Sequence, residues 1–451
     1  MRPSDALLDT IVALATPAGK SAVALVRLSG PDARQVLASL ASRLKADLKP
    51  RRPRLAALDD ASGERIDRGL VTFFEAPNSY TGEDVVEISI HGSPVAAARL
   101  VEAAITAGAR AARPGEFTER AFRGGKLDLV RAEAVRDLIE AQTPAAARFS
   151  ARRMEGGLSK KLEAAREDLL AAAAGIAAAI DFSDDVGENV DAEVERRLRA
   201  AADNLARLSA TYRTGKLLSS GCRVAILGRP NAGKSTLFNA LVGSARAIVT
   251  EIPGTTRDTL EALVEVRGIP VTVVDTAGLR ATEDVVEKIG VARALEEGDR
   301  ADAVVYVYDA AEGLTAEDRD ALARHGDMPR VLAANKSDLA PEALLPDGAV
   351  RLCGLEPSAG ETLRALLAEA VASEISTEKT SEVLGSLRQK DLVDRARTGA
   401  EQTLEALSKG LSPEYAATHC HAALDALADL VGETTSEDVL TRLFATFCIG
   451  K

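Results

Sequence analysis

The sequence predicts a multidomain chain of the α/β and α classes. A domain with a parallel, doubly wound sheet is inserted into a discontinuous helical domain, and an α+β domain comes first. Three observations carry this expectation. The 451 residues exceed what a single hydrophobic core ordinarily covers. Short apolar runs ending in polar loops alternate with helical patterns through residues 216–378, as buried parallel strands do. Amphipathic helical patterns flank that block at 122–215 and 379–451, and the two ends of an inserted domain must lie close together. Aromatic residues reach only 3% and alanine runs fill the middle of the chain, so the helices are expected to pack through small side chains.

The net charge of -12 excludes a large basic surface built to grip nucleic acid unaided, so any RNA contact is expected to be local or shared. The opening stretch has no charged start, apolar core and small-residue cleavage site, and no segment reaches the length of a membrane span. A cytoplasmic protein is expected. Cys222, Cys353, Cys420 and Cys448 are scattered without a CxxC pair, which fits a reducing compartment and gives no zinc signature.

Within residues 1–121, the runs 11–15 and 22–28 read as strands, 31–44 as an amphipathic helix, 85–90 as a strand and 94–107 as a helix. Arg27 and Glu87 are charges on otherwise apolar strands, and spacing alone reads them as the solvent side of half-buried strands. From 124 to 208 the pattern is long amphipathic helix, with Leu162, Leu169, Ile176 and Ile180 near one face. An acidic, glycine-containing turn at 181–189 interrupts it. Helix returns at about Val190, and the segment from Leu384 to the end is again helical. His419-Cys420-His421 falls on that helix, where adjacent residues point about 100° apart, so the three read as ordinary packing and not as metal ligands.

The inserted domain carries the chemistry. The strand-like Arg223-Val224-Ala225-Ile226-Leu227 runs into Gly228-Arg229-Pro230-Asn231-Ala232-Gly233-Lys234-Ser235-Thr236 and then a helical pattern. This is the context of a phosphate-binding loop: glycines let the backbone wrap phosphates, Lys234 adds positive charge, and the Ser235 hydroxyl suits magnesium. Asp275-Thr276-Ala277-Gly278 follows a strand, so the Asp275 carboxylate can orient magnesium while the Gly278 N–H meets the γ-phosphate. Asn335-Lys336-Ser337-Asp338 follows another, and a carboxylate there accepts two hydrogen bonds from the donor edge of guanine, which adenine lacks. Together the three motifs point to a P-loop GTPase. Between them, Thr250-Glu251-Ile252-Pro253-Gly254-Thr255-Thr256 reads as a switch segment in which Thr256 closes over magnesium and the γ-phosphate.

Leu279 stands where a signalling GTPase carries the glutamine that orients the attacking water. Leucine cannot do so, and the acidic run Glu283-Asp284-Val285-Val286-Glu287 lies just downstream. No arginine finger is assignable. A monovalent cation held by Asn231 and loop carbonyls could supply the missing positive charge.

Three further blocks resemble one family, the tRNA-modifying GTPases of the MnmE (TrmE) type. They are Ser79-Tyr80-Thr81-Gly82-Glu83-Asp84 with His91-Gly92, Arg113-Pro114-Gly115-Glu116-Phe117-Thr118-Glu119-Arg120-Ala121-Phe122 with Lys126-Leu127-Asp128-Leu129, and Phe447-Cys448-Ile449-Gly450-Lys451. The resemblance covers essentially the whole chain. It implies an N-terminal domain that dimerises and binds a 5-formyltetrahydrofolate-type folate, with contacts at Arg27, Glu87, Lys126 and Lys451. Magnesium would fall to Ser235 and Thr256 with Asp275 behind them, and potassium to Asn231, Thr250, Ile252 and Thr255. Glu287, in Val286-Glu287-Lys288-Ile289-Gly290, matches the family's water-positioning glutamate.

An FAD-dependent partner is implied too, forming a heterotetramer or larger complex that carries most tRNA contacts and installs an aminomethyl-type group on the wobble uridine. Cys448 reads either as a nucleophile or as a buried anchor for the tail. The motifs of the inserted domain would equally suit an assembly or regulatory GTPase; the N-terminal blocks and the tail argue against it. Where the family normally places Ser-Ala after the last strand, this chain has Cys353-Gly354, which puts side-chain support of the guanine in doubt.

Overall fold

The computed structural model describes residues 9–41, 44, 48–181, 188–244, 260–276, 296–326, 328–372 and 382–451. They form two compact units: Met1–Arg136 with Arg166–Leu198 and Thr398–Lys451, and Asp137–Ala165 with Arg199–Arg397.

The first unit opens with β1 (Ile11–Leu14), β2 (Val23–Ser29), α1 (Ala33–Leu40), β3 (Arg54–Asp59), β4 (Arg65–Phe74), β5 (Val85–His91), α2 (Pro94–Thr106), β6 (Arg110–Ala111) and α3 (Glu116–Arg123). The strands make one sheet in the order β3-β4-β5-β2-β1-β6, antiparallel except for the β1–β6 pair. Val26, Leu28, Phe73 and Ile88 form its core face with Val36 and Leu37 of α1 and Leu100 of α2. Because side chains alternate across a strand, Arg27 points to the opposite face. There Ile11 and Ala13 pack on Phe117 of α3.

The hairpin β3–β4 was not among the predicted strands. Its turn is closed locally: Asp60 Oδ1 accepts hydrogen bonds from the Ser62 and Glu64 N–H groups, both at 3.0 Å, as Asp in a tight turn does.

The helices continue as α4 (Leu129–Glu140), α5 (Pro144–Met154), α6 (Gly157–Asp181), α7 (Glu188–Ala210) and α8 (Tyr212–Ser219). The single long helix expected over 124–208 is therefore broken twice before the acidic turn. Thr143 caps α5 by accepting from the Ala146 N–H at 3.1 Å, with Pro144 at the first helical position, and Gly156, at φ 82°, separates α5 from α6. Leu162, Leu169 and Ile176 are buried as expected, whereas Ile180 is 37% exposed.

The second unit holds the inserted sheet: β7 (Cys222–Leu227), α9 (Lys234–Ser244), β8 (Leu260–Val266), β9 (Ile269–Asp275), β10 (Ala303–Asp309), α10 (Ala316–Arg324), β11 (Arg330–Asn335), β12 (Ala349–Arg351) and α11 (Ala359–Ala372). The order is β12-β11-β10-β7-β9-β8, parallel throughout except for β8, an antiparallel edge strand not singled out in the sequence. Leu237 and Leu241 of α9 and Leu363 and Leu367 of α11 cover one face, while Ala321 and Leu322 of α10 pack on the other. The sheet is therefore doubly wound, and β7 lies near its centre, where ligands of such sheets gather beyond the carboxyl ends of the strands.

The chain closes with α12 (Leu387–Ser408), α13 (Pro413–Val431) and α14 (Glu437–Ala445). In α13 only Cys420 of the His-Cys-His run turns fully inward, His419 packs on the Tyr415 ring at 4.8 Å, and His421 is exposed. Among the described residues no helix is long and apolar enough to cross a membrane.

Candidate functional site

The phosphate loop joins β7 to α9, and its backbone explains its glycines. Gly228 has φ 139°, and a Cβ there would lie 2.0 Å from the Val307 carbonyl oxygen. Gly233 has φ 94° and is crowded by the Asn335 amide in the same way. Neither position admits a side chain. Lys234 is buried, and its Nζ donates to the Gly228 and Arg229 carbonyls, each at 2.8 Å. Burial pulls its pKa below the ordinary value, against the opposing pull of the Asp275 carboxylate.

Asp275 ends β9 and is 1% exposed; Thr276 follows, its hydroxyl donating to the Ile226 carbonyl at 2.7 Å. The two motifs are thus fastened at the top of adjacent parallel strands. Asn335, at the end of β11, performs a bracing role that the sequence did not reveal. Its Nδ2 donates to the Ala232 carbonyl at 2.8 Å and its Oδ1 accepts from the Gly354 N–H at 3.0 Å. The phosphate loop and the loop after β12 are therefore tied through one amide. Lys336 pairs with Asp309 at 2.9 Å, and Asp338 is exposed on the turn that follows.

A second polar cluster lies in the first unit. Arg27 and Glu87 are direct partners in the β2–β5 register and form an ion pair with Nη2 and Oε1 2.8 Å apart. The solvated-strand reading is thus replaced by a half-buried pair. The guanidinium lies 5.7 Å from the Tyr80 ring and 5.6 Å from the Phe117 ring, and it donates to the Gly450 carbonyl at 3.3 Å.

The tail reaches this corner because the first turn of α3 holds it. The Gly115 N–H donates to the Cys448 carbonyl at 3.3 Å and the Phe117 N–H to that of Lys451 at 3.0 Å. Burial and the nearby Arg27 lower the Lys451 pKa, opposed by Glu87 and Cys448. Lys126 instead lies against Gly82. The Cys448 side chain is exposed, so the tail is anchored by its backbone and by buried Phe447, not by that thiol.

The family models decide the kinship. One described as "GTP-binding protein TrmE N-terminus" matches residues 10–126, and one described as "MnmE helical domain" matches 129–448, spanning the inserted sheet. The chain belongs to the MnmE (TrmE) family.

Relatives named "tRNA modification GTPase MnmE" include that of Aquifex aeolicus, 39% identical over 98% of this chain and 100% of the relative. Another, from Koribacter versatilis, is 42% identical over 98% of this chain and 99% of the relative. Among solved structures, the FeoB G-domain from Methanococcus jannaschii is 27% identical over 33% of this chain and 97% of that one, with a TM-score of 0.25.

Several residues expected at the MnmE nucleotide site lie outside the described residues: Thr250, Glu251, Ile252, Pro253, Gly254, Thr255, Thr256, Ala277, Gly278 and Glu287, together with Leu279 and Glu283. Sequence reasoning passed over Tyr80 and Phe117 as individual residues. Both belong to blocks that carried the resemblance, and an aromatic in each was the available signal.

Proposed function

We propose that this chain is a potassium-dependent GTPase of tRNA modification. With an FAD-dependent partner it adds an aminomethyl or carboxymethylaminomethyl group to carbon five of the wobble uridine of certain tRNAs, using a 5-formyltetrahydrofolate-type donor. The observation that supports this reading best is that one chain of this family carries both the phosphate loop and the separate Arg27–Glu87 corner.

At the nucleotide site, the loop backbone and Lys234 bind the phosphates, and Asp338 selects guanine. In hydrolysis, water attacks the γ-phosphorus and the bond to the β-phosphate oxygen breaks, giving GDP and phosphate. Ser235, on the first turn of α9, and Thr256 offer hydroxyl oxygens that suit magnesium, with the buried carboxylate of Asp275 behind them to orient the ion. Bound magnesium would neutralise charge developing on the phosphate oxygens. Potassium falls to Asn231, whose φ of 61° belongs to the phosphate loop itself, with Thr250, Ile252 and Thr255. Glu287 positions the water. In the first unit, Arg27 or Lys451 pairs with an anionic group of the folate, Glu87 accepts hydrogen bonds from its pterin edge, and Lys126 is a further contact.

The chain acts in the cytoplasm as a homodimer through residues 1–121, inside a heterotetramer or larger complex. Its partner supplies most tRNA contacts, in keeping with the charge of -12. GTP hydrolysis moves the inserted domains and thereby gates the modification chemistry. Cys448 is assigned no step.

Mass spectrometry of tRNA nucleosides from cells with and without this gene tests the reading. Loss of the aminomethyl-modified wobble uridine is expected; an unchanged profile would leave GTP hydrolysis alone standing. For the cation, GTP turnover in potassium and in sodium at matched ionic strength should differ at least about tenfold, as for removal of one charge-stabilising group. Equal rates would remove the potassium site.

A further inference from the structure

The helix that carries Phe117 also carries an ionic cluster, centred on the two buried side chains Arg120 and Glu116, that none of the roles above uses. Arg120, on α3, has a side chain 1% exposed. Its Nη2 donates to Asp9 Oδ1 at 2.6 Å and its Nη1 to the Asp9 carbonyl at 2.8 Å. The same guanidinium reaches both oxygens of Glu83 at 3.2 Å and Glu116 at 3.3 Å. Glu116 in turn accepts from Arg110 Nη2 at 2.6 Å and from the Arg113 N–H at 2.8 Å. Burial alone would raise the Glu116 carboxyl, but these donors hold it below its ordinary value.

Each partner of Arg120 stands on a different segment. Asp9 precedes β1, Glu83 lies in the loop that carries Tyr80, and Glu116 opens the helix that carries Phe117. Ser29 locks Glu83 to the end of β2 with a 2.6 Å hydrogen bond, and Thr118 of α3 meets the Tyr80 hydroxyl at 2.9 Å. The same helix holds the tail through Gly115 and Phe117. Gly115 could be no other residue: a Cβ there would lie 2.5 Å from the Phe444 carbonyl.

We infer that Arg120 is the positioning residue of the folate corner. It fixes the Tyr80 loop and the first turn of α3 on the sheet, so that both rings and the Gly450-Lys451 tail converge on Arg27. Arg120 touches no ligand itself. The requirement is geometric, because a planar fork reaches several acceptors at once and an ammonium cannot. This rests on the folate reading above.

The test compares wild type with Arg120→Lys, which keeps the charge, and with Glu83→Gln, which keeps an acceptor for Ser29. Binding of 5-formyltetrahydrofolate is measured well below each variant's unfolding midpoint. Arg120→Lys should weaken binding at least about tenfold and Glu83→Gln about threefold. GTP turnover should stay at the wild-type level. In the complete modification reaction the folate KM should rise while kcat at saturating folate is kept.

Unchanged folate affinity in Arg120→Lys, or a fall in kcat without a rise in KM, would overturn the assignment. If wild type fails to bind the folate, the ligand reading fails on its own. Hydrogen exchange at the Gly115 and Phe117 amides then decides: faster exchange in Arg120→Lys upholds the positioning role, and equal exchange removes it.

Discussion

Lys234 shows how one side chain is prepared for an anion. A buried ammonium costs free energy unless it is hydrogen-bonded, and here two carbonyls of its own loop accept from it. An incoming phosphate then meets a cation already desolvated and aimed, so little reorganisation remains. Water activation is a separate task, since Leu279 has no group to perform it. The expected outcome for Glu287→Ala is therefore retained GTP affinity with turnover lower by roughly tenfold to a thousandfold, the range for a lost water-positioning group. Nucleotide affinity and phosphate release, measured side by side, check this. Unchanged turnover would return the task to Glu283 or Asp284.

Elements whose signals are local were legible in the sequence, and those fixed by distant partners were not. The strand β7, the phosphate loop and α9 share one short stretch, so an apolar run, glycines and a helical pattern sufficed to read them. The β3–β4 hairpin has mixed, partly exposed strands, so no clean apolar run marked it. A break in a helix depends on capping, which is why Thr143-Pro144 and Gly156 divided what periodicity alone read as continuous. The Arg27–Glu87 pair needed the register of β2 against β5, a fact of the sheet and not of either strand. Arg120 was harder still. A charged residue in a helical pattern reads as exposed by default, and acceptors from distant segments, the carboxylates of Asp9, Glu83 and Glu116 among them, make its burial tolerable. Family blocks identified the neighbourhood of this cluster without explaining which side chain held it together.

For the whole molecule, two sheets, each with its own core, raise the question of whether the chain unfolds as one body. Each compact unit has its own sheet and its own hydrophobic cluster, which favours separate transitions. Against this, α4, α6, α7 and α12 each contribute residues to both units, so melting one unit removes support from the other. Each sheet closes its own apolar core, and separate transitions are the expected outcome. Calorimetry is expected to resolve two overlapping transitions. Magnesium and a non-hydrolysable GTP analogue should raise one, and 5-formyltetrahydrofolate the other. At a hundredfold excess over its dissociation constant, each ligand adds about 2.7 kcal/mol to the unit that binds it, a shift of roughly 5–10 °C. The Arg120→Lys variant should lower the folate-sensitive transition and leave the nucleotide-sensitive one in place. One transition raised equally by both ligands would mean that the shared helices make the chain a single cooperative unit, with nucleotide and folate binding coupled through its stability.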